Sequence, residues 1–297
     1  MEIRKNRAVV SIVIALCLLP AIRVAAMAKV RGLGFVLDEE GKFRKVELHT
    51  RIKLGGGKAR PYHHAPTAIS ITEGDSSREF SRIKIVTILG VPYPLGKDRL
   101  VINADGSVTV WDWRKRTTRT YPGIGSHTSE SSTGMSPNEK WAVSIPAYSH
   151  GGAIVHDLAR GTSVHMYKGE DIFSPRFSPD GARWAAFSRK ELIIHSINDS
   201  TKQVAPIPNA DGRSFPTNLV WSPSGRHIAG VIHHDGQTSI VVWESSGKLT
   251  ATMSAPLLLT KAWPAIWSQD EKGLYLVIGN EGTGQKHRLR TEFLPIK

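Results

Sequence analysis

Cysteine is all but absent from this chain: the 297 residues contain one, Cys17, and it lies inside an N-terminal apolar run. A chain that sheds that run keeps no thiol, which excludes disulfide bridges and thiolate metal sites there whatever the redox state of the compartment. Long hydrophobic runs are equally scarce. The longest, Ala8 to Ile22, has 15 residues and carries Pro20, short of the roughly 20 that a bilayer-spanning helix needs. Blocks of like charge are missing too, and 40% apolar with 22% charged residues is a globular balance rather than that of a disordered chain. No Gly-x-Ser-x-Gly elbow occurs, so the many serines give no hydrolase nucleophile. Gly123-Ile124-Gly125-Ser126 is glycine-rich, but it follows Tyr121-Pro122 and lacks the third glycine and the helix of a phosphate loop. It reads as a connection between elements.

What the N-terminus does have is the pattern of an export signal. Arg4, Lys5 and Arg7 precede the apolar run, and Ala26-Met27-Ala28 places small residues where a signal peptidase reads. Cleavage after Ala28 is expected, giving residues 1–28 as a signal peptide and a mature chain with no transmembrane span. Leu16 before Cys17 is bulkier than the small residue of a lipoprotein signal, which argues against a lipid anchor. Removal takes Arg4, Lys5, Arg7, Arg23 and Glu2 from a chain of formal net charge +13, so the mature form carries +10.

The remaining length would hold one large all-β domain or two ordinary ones, and an internal repeat decides between them. Phe177-Ser178-Pro179-Asp180-Gly181 recurs as Trp221-Ser222-Pro223-Ser224-Gly225, as Met135-Ser136-Pro137-Asn138-Glu139, and more weakly as Trp267-Ser268-Gln269-Asp270-Glu271; the serines are 42, 44 and 46 residues apart. Serine accepts turn hydrogen bonds, proline fixes φ at the first corner, and glycine takes the position where φ turns positive. The aromatic residue before the turn ends a buried strand.

After each turn comes a short apolar stretch: Trp141-Ala142-Val143, Trp184 to Phe187, Ile228 to Ile232, Leu274 to Ile278. Such near-continuous apolar strands suit a sheet covered on both faces. One hairpin later, aliphatic residues precede Trp111, His156, His195 and Trp243, spaced 45, 39 and 48. Two landmarks share one period, so the fold class is all-β: a β-propeller of four-stranded antiparallel blades. Counting back 45 from Ser136-Pro137 reaches Val91-Pro92, where a fifth unit with a degenerate turn is expected.

The Phe-Ser-Pro-Asp-Gly turn followed by an Ala-Phe strand resembles the propeller repeat of TolB-type periplasmic proteins. Asp105-Gly106-Ser107-Val108-Thr109-Val110-Trp111-Asp112 resembles the third strand of WD repeats. The resemblance covers about residues 91–297 and implies architecture, not activity. It departs from both families: no Gly-His dipeptide precedes the Trp-Asp strands, and no separate α/β domain is expected ahead of the propeller.

Residues 29–90 lack the turn motif but show alternating runs at Leu33–Leu37, Phe43–Leu48, Ala68–Thr72 and Ile83–Leu89, enough for one irregular blade, with Gly55 to Pro61 as a loop. Together with the repeats of 91–297 this makes six blades in a single propeller domain; five or seven stay open. The short last unit, 268–297, is expected to be completed by an N-terminal strand, leaving no open sheet edge.

Twelve histidines invite a metal reading. In the pairs His63-His64 and His233-His234, however, neighbouring strand side chains point to opposite faces and make a poor chelate. His156 and His195 occupy the Trp slot of the repeat and read as structural. The dipeptides Asp105-Gly106, Asp180-Gly181, Asp211-Gly212 and Asp235-Gly236 read as hairpin turns rather than calcium loops, which gather several oxygen ligands within a dozen residues. No metal or cofactor site is assigned.

Basic residues cluster at Arg114-Lys115-Arg116 with Arg119, at Lys53, Lys58 and Arg60, and at Lys286, Arg288 and Arg290. This charge attracts anionic partners in a salt-dependent way; for an exported protein these are lipid headgroups, cell-wall polymers or acidic proteins, with nucleic acid the least expected. The leading function is a non-catalytic platform for a protein or envelope polymer, in the periplasm or outside the cell. The alternative is a hydrolase or lyase whose groups meet at the channel mouth from different blades. His127, His150, Glu170, Asp171, Asp211 and Arg213 lie in inter-strand segments where such a convergence would be sought, and none is assigned a catalytic role.

Overall fold

The computed structural model describes residues 28–37, 42–54, 62–73, 79–84, 92–104, 106–125, 133–146, 151–211, 214–255, 265–279 and 289–296. Residues 1–27, on which the export expectation rests, lie outside these, as do Gly55 to Pro61, His127, His150 and Arg213. The described residues form twenty-three strands in six antiparallel sheets, with no helix among them.

Blade 1 comprises β1 (Ala28–Leu37), β2 (Phe43–Leu54), β3 (Tyr62–Glu73) and β4 (Glu79–Lys84). Blade 2 comprises β5 (Tyr93–Pro94), β6 (Arg99–Ala104), β7 (Ser107–Asp112) and β8 (Thr117–Pro122). Blade 3 comprises β9 (Gly134–Met135), β10 (Trp141–Ser144), β11 (Ala153–Asp157) and β12 (Thr162–Met166). Blade 4 comprises β13 (Phe173–Phe177), β14 (Arg183–Phe187), β15 (Glu191–Ser196) and β16 (Lys202–Pro206). Blade 5 comprises β17 (Phe215–Trp221), β18 (His227–His234), β19 (Gln237–Glu244) and β20 (Leu249–Ser254). Blade 6 comprises β21 (Ala265–Trp267), β22 (Gly273–Gly279) and β23 (Leu289–Pro295).

The first strand of each repeat is innermost: β9, β13, β17 and β21 lie side by side around the axis. The fourth strands, β8, β12, β16 and β20, are mostly exposed. They are rich in Thr and include Arg119, Lys202 and Pro206, and charged side chains and proline on an edge discourage edge-to-edge pairing. The core is a set of wedges between blades. Along β14, Trp184 and Ala186 pack toward blade 3 while Ala185 and Phe187 pack toward blade 5; along β18, Ile228 and Ile232 face blade 4 while Ala229 and Val231 face blade 6. Side chains alternate faces along a strand, so a strand buried on both faces must be apolar throughout. That requirement is why these segments read as continuous apolar runs.

The four serine turns share one hydrogen-bond scheme. Ser136, Ser178, Ser222 and Ser268 are buried, and each N–H donates 2.9 Å to the carbonyl five residues on. Each Oγ accepts the N–H of that same residue, at 2.9 Å from Trp141, 3.0 Å from Arg183, 3.1 Å from His227 and 3.2 Å from Gly273. The fifth motif position is left-handed in every copy: Glu139 (φ 56°), Gly181 (73°), Gly225 (72°) and Glu271 (58°). The Trp slot is equally regular, since Trp111, His156, His195 and Trp243 pair across the hairpin with Leu100, Ala142, Trp184 and Ile228, each the second residue of its strand.

Two expectations are corrected. The turn of blade 2 lies at Leu95–Asp98 rather than at Val91-Pro92. Leu95 N–H donates to the Arg99 carbonyl, four residues on, at 2.8 Å, so the turn is one residue shorter than its relatives and has no serine to mark it. Among the described residues the last blade is not completed by an N-terminal strand. β1 pairs with β2 inside blade 1, and among the described residues β23 has only β22 as a strand partner. A local hairpin needs far less loop-closure entropy than a strand carried around the ring. The ring instead closes by side-chain packing, with Phe43 of blade 1 edge-on to Tyr275 of blade 6 at 4.9 Å.

Candidate functional site

Antiparallel strands give the channel two unlike mouths. Segments that lead into the inner strands gather at one, and the serine turns that follow the inner strands gather at the other. Glu170, Asp171 and Asp211 belong to the first. There Asp171 pairs with Arg189 at 2.6 Å, and Asp211 lies 3.7 Å from His234. His233 bonds Thr238 Oγ1 at 3.0 Å, and His234 bonds Ser214 Oγ at 3.2 Å. Among the described residues no group of three or more metal-ligating side chains converges.

The cavity is at the second mouth. It measures about 380 Å³ and is lined from blades 2 to 6 by the ends of β5, β9, β13, β17 and β21 and the turns after them. Its walls include Met135, Trp221, Ile266 and Trp267. Among the described residues the charged side chains in the lining are Arg176 and Lys97, with no Asp or Glu.

Arg176 is set by its position in the repeat. It stands immediately before the motif aromatic Phe177, where the other copies carry Gly134, Val220 and Ile266. Its guanidinium lies over the Tyr93 ring, 3.8 Å from the centroid, close for a cation–π contact. One Nη1–H donates to the Pro175 carbonyl at 2.7 Å, and no carboxylate pairs with it among the described residues. Burial lowers the guanidinium from its usual value, with the Tyr93 hydroxyl pulling the other way; an arginine nevertheless stays charged.

Tyr93 is fixed in turn. Its hydroxyl donates to the Thr133 carbonyl at 2.7 Å and accepts the Met135 N–H at 2.8 Å, joining the inner strands of blades 2 and 3. Burial pushes this hydroxyl up to about 12, against the lowering effect of Arg176 and the Met135 N–H. The ring beneath the guanidinium is therefore neutral at physiological pH. Trp221 Nε1–H donates to the Arg176 carbonyl at 3.0 Å, and Trp267 Nε1–H repeats the contact one blade on, to the Val220 carbonyl at 3.4 Å.

His156 and His195 stand apart from both mouths. His156 is buried between Ser144 Oγ at 2.8 Å and Ser163 Oγ at 2.9 Å. His195 is buried against Trp184, ring centroids 5.5 Å apart, with Tyr167 Oη at 3.4 Å. Sequence reasoning passed over Arg176, although a signal for it existed: a lone charge in a column that otherwise holds glycine, valine and isoleucine.

No family model matches this chain, and no curated protein matches its sequence. Its fold is similar to that of TolB from Acinetobacter baumannii, with a TM-score of 0.55 at 12% identity over 85% of this chain and 61% of that one. Two further solved structures are similar at lower scores. Kuenenia stuttgartiensis hydrazine synthase has a TM-score of 0.48 at 13% identity, covering 71% of this chain and 62% of that one. The β-propeller domain of Cps50 (Swd1) from Myceliophteria thermophila has 0.45 at 16%, covering 71% and 72%. This chain thus spans about three fifths of the TolB and hydrazine synthase chains. The likeness to TolB establishes the six-bladed propeller as the fold.

Proposed function

We propose that the chain is an exported recognition propeller that performs no chemistry of its own and binds a partner protein or an anionic envelope polymer at the turn-side mouth of its channel. The observation that carries this reading is the cavity: apolar and aromatic walls from five blades around Arg176 and Lys97, with no acidic side chain in the lining among the described residues. A concave, largely apolar site with a few placed polar groups is the usual form of a binding pocket, and rigid blades hold this one open. Export to the periplasm or beyond is supported by the charged start, the apolar run and Ala26-Met27-Ala28. The net positive charge favours anionic partners at long range.

Affinity capture with the tagged mature protein tests this, using its own cell-envelope fraction at low and at moderate salt. A double variant, Lys97→Glu with Gln269→Glu, changes two exposed rim residues without touching the core. The expected result is a partner that survives moderate salt with wild type and falls several-fold with the variant. Equal capture by both proteins, or recovery of salt-sensitive anions alone, would remove the channel mouth as the binding face.

A further inference from the structure

We infer that Arg176 is the anchor for a single carboxylate on a ligand whose apolar body fills the cavity; this rests on the channel mouth being the binding face. The chemistry begins with a contrast along the repeat. Three copies place Gly134, Val220 and Ile266 just before the first motif residue, and blade 4 places a guanidinium there. Taking a charge out of water without a counterion is unfavourable, and an aliphatic side chain serves the same position in blades 5 and 6. A purely structural demand would be met by Val or Ile.

The guanidinium is held but not neutralised. Tyr93 covers one face at 3.8 Å and the Pro175 carbonyl accepts one Nη1–H at 2.7 Å, while Nε and Nη2 have no protein partner among the described residues. A guanidinium presents its donors as a planar fork that matches a carboxylate with two parallel hydrogen bonds. Tyr93 is locked by Thr133 and Met135, so the fork is pre-oriented and little rotamer freedom remains to be lost on binding.

Charge selects the anion. Among the described lining residues the one other charge is Lys97, an exposed rim residue. One half-buried positive charge matches one negative charge, whereas a phosphate monoester brings roughly two. The surrounding Met135, Trp221, Ile266 and Trp267 ask for an aliphatic or aromatic body. Such a carboxylate belongs either to a free small acid or to a peptide, as its C-terminus or as an Asp or Glu side chain beside apolar residues.

The test uses the mature protein and defined probes: 3-phenylpropionate, its neutral amide, and a short peptide ending in Phe as free acid and as C-terminal amide, each measured by calorimetric titration and by the shift in melting temperature. The expected result is that at least one acid binds about tenfold or more tightly than its amide, that Arg176→Leu erases the preference, and that Arg176→Lys keeps a weakened one. Tighter binding of the small acid or of the peptide acid identifies the source of the carboxylate. Acid and amide binding equally overturns the proposal, as does acid binding that survives in Arg176→Leu or the absence of acid binding at about 10 mM. A purely structural Arg176 would change the ligand-free melting temperature in both variants and leave no acid-over-amide preference in wild type. If envelope capture is lost with the rim variant yet unchanged by Arg176→Leu, the anchor falls and the binding face stands. If acids bind through Arg176 and no envelope partner is captured, the binding face for a macromolecule falls and the anchor stands.

Discussion

The indole N–H of Trp221 donates to the backbone carbonyl of Arg176 at 3.0 Å. The aromatic residue that ends the inner strand of blade 5 thereby steadies the blade 4 strand that carries the guanidinium of the channel. Phe at position 221 keeps the ring and loses this bond, so Trp221→Phe is expected to lower stability by about 1 kcal/mol. Trp221→Ala also removes packing against the blade 4/5 core and should cost about 3 kcal/mol. Denaturant unfolding of the two variants checks both values; an Ala variant within about 0.5 kcal/mol of wild type would contradict the interlock.

Glu271 holds a left-handed backbone, φ 58°, where the stronger copies of the motif have glycine. The carboxylate accounts for it, since it accepts the Ser224 N–H and the Ser224 hydroxyl, the latter at 2.8 Å, in the turn of the preceding blade. Burial acts to raise this carboxyl, but the Ser224 hydrogen bonds and the Arg226 charge outweigh it and hold the group below its ordinary value. Glu271→Gly should gain about 1 kcal/mol of backbone relief and lose about 2 to 3 kcal/mol of charge-assisted bonding, a net loss. The deficit should shrink in a Ser224→Ala background, and a stabilised Glu271→Gly would refute the link.

Gly230 stands where blade 5 comes closest to Phe187 of blade 4. A Cβ there would lie 2.2 Å from Phe187 Cζ. Gly230→Ala is expected to cost about 2 to 3 kcal/mol by overpacking, and Phe187→Leu in the same chain should recover part of it. A Gly230→Ala protein that melts like wild type would show that the two blades can move apart freely.

His156 and His195 titrate below the ordinary 6.5, both because burial disfavours the cation; for His195, Asp199 opposes that effect and Lys202 adds to it. In the unfolded chain they take up protons as pH falls through about 6.5, while the folded protein does so only at lower pH. Over that window the unfolded state binds more protons, so stability falls as pH drops from about 6.5 toward the folded values. Denaturation midpoints between about pH 7.5 and about pH 5.5 should decline in wild type, and the decline should be shallower in His156→Gln and His195→Gln. Parallel curves for all three proteins would exclude these histidines as its source.

How much of this could be read from the chain depends on how local each feature is. The serine turns are written within six residues, because Ser178 and Arg183 satisfy each other's backbone groups, and so they repeat visibly. The Trp slot is visible for a similar reason, with its partner one hairpin away. The turn at Leu95 escaped because its shorter return needs no serine. The cavity escaped for a different reason: Tyr93, Arg176, Trp221 and Trp267 come from separate blades, and no linear spacing joins them. Only alignment of the repeats against each other isolates Arg176 as the odd residue in its column. The place of β1 was misjudged because closure by a shared strand is a property of the whole ring, while the β1–β2 hairpin is favoured by chain proximity alone.

The aromatic contact between Phe43 and Tyr275 lies at the one junction of the ring that chain connectivity does not bridge. Every other pair of adjacent blades is joined by the polypeptide itself, so parting there would leave the chain continuous around the remaining arc. Transient opening of the ring should therefore begin between blades 6 and 1, like a split washer. Amide protons of β2 and β22 should then exchange with solvent ahead of those in β14 and β18.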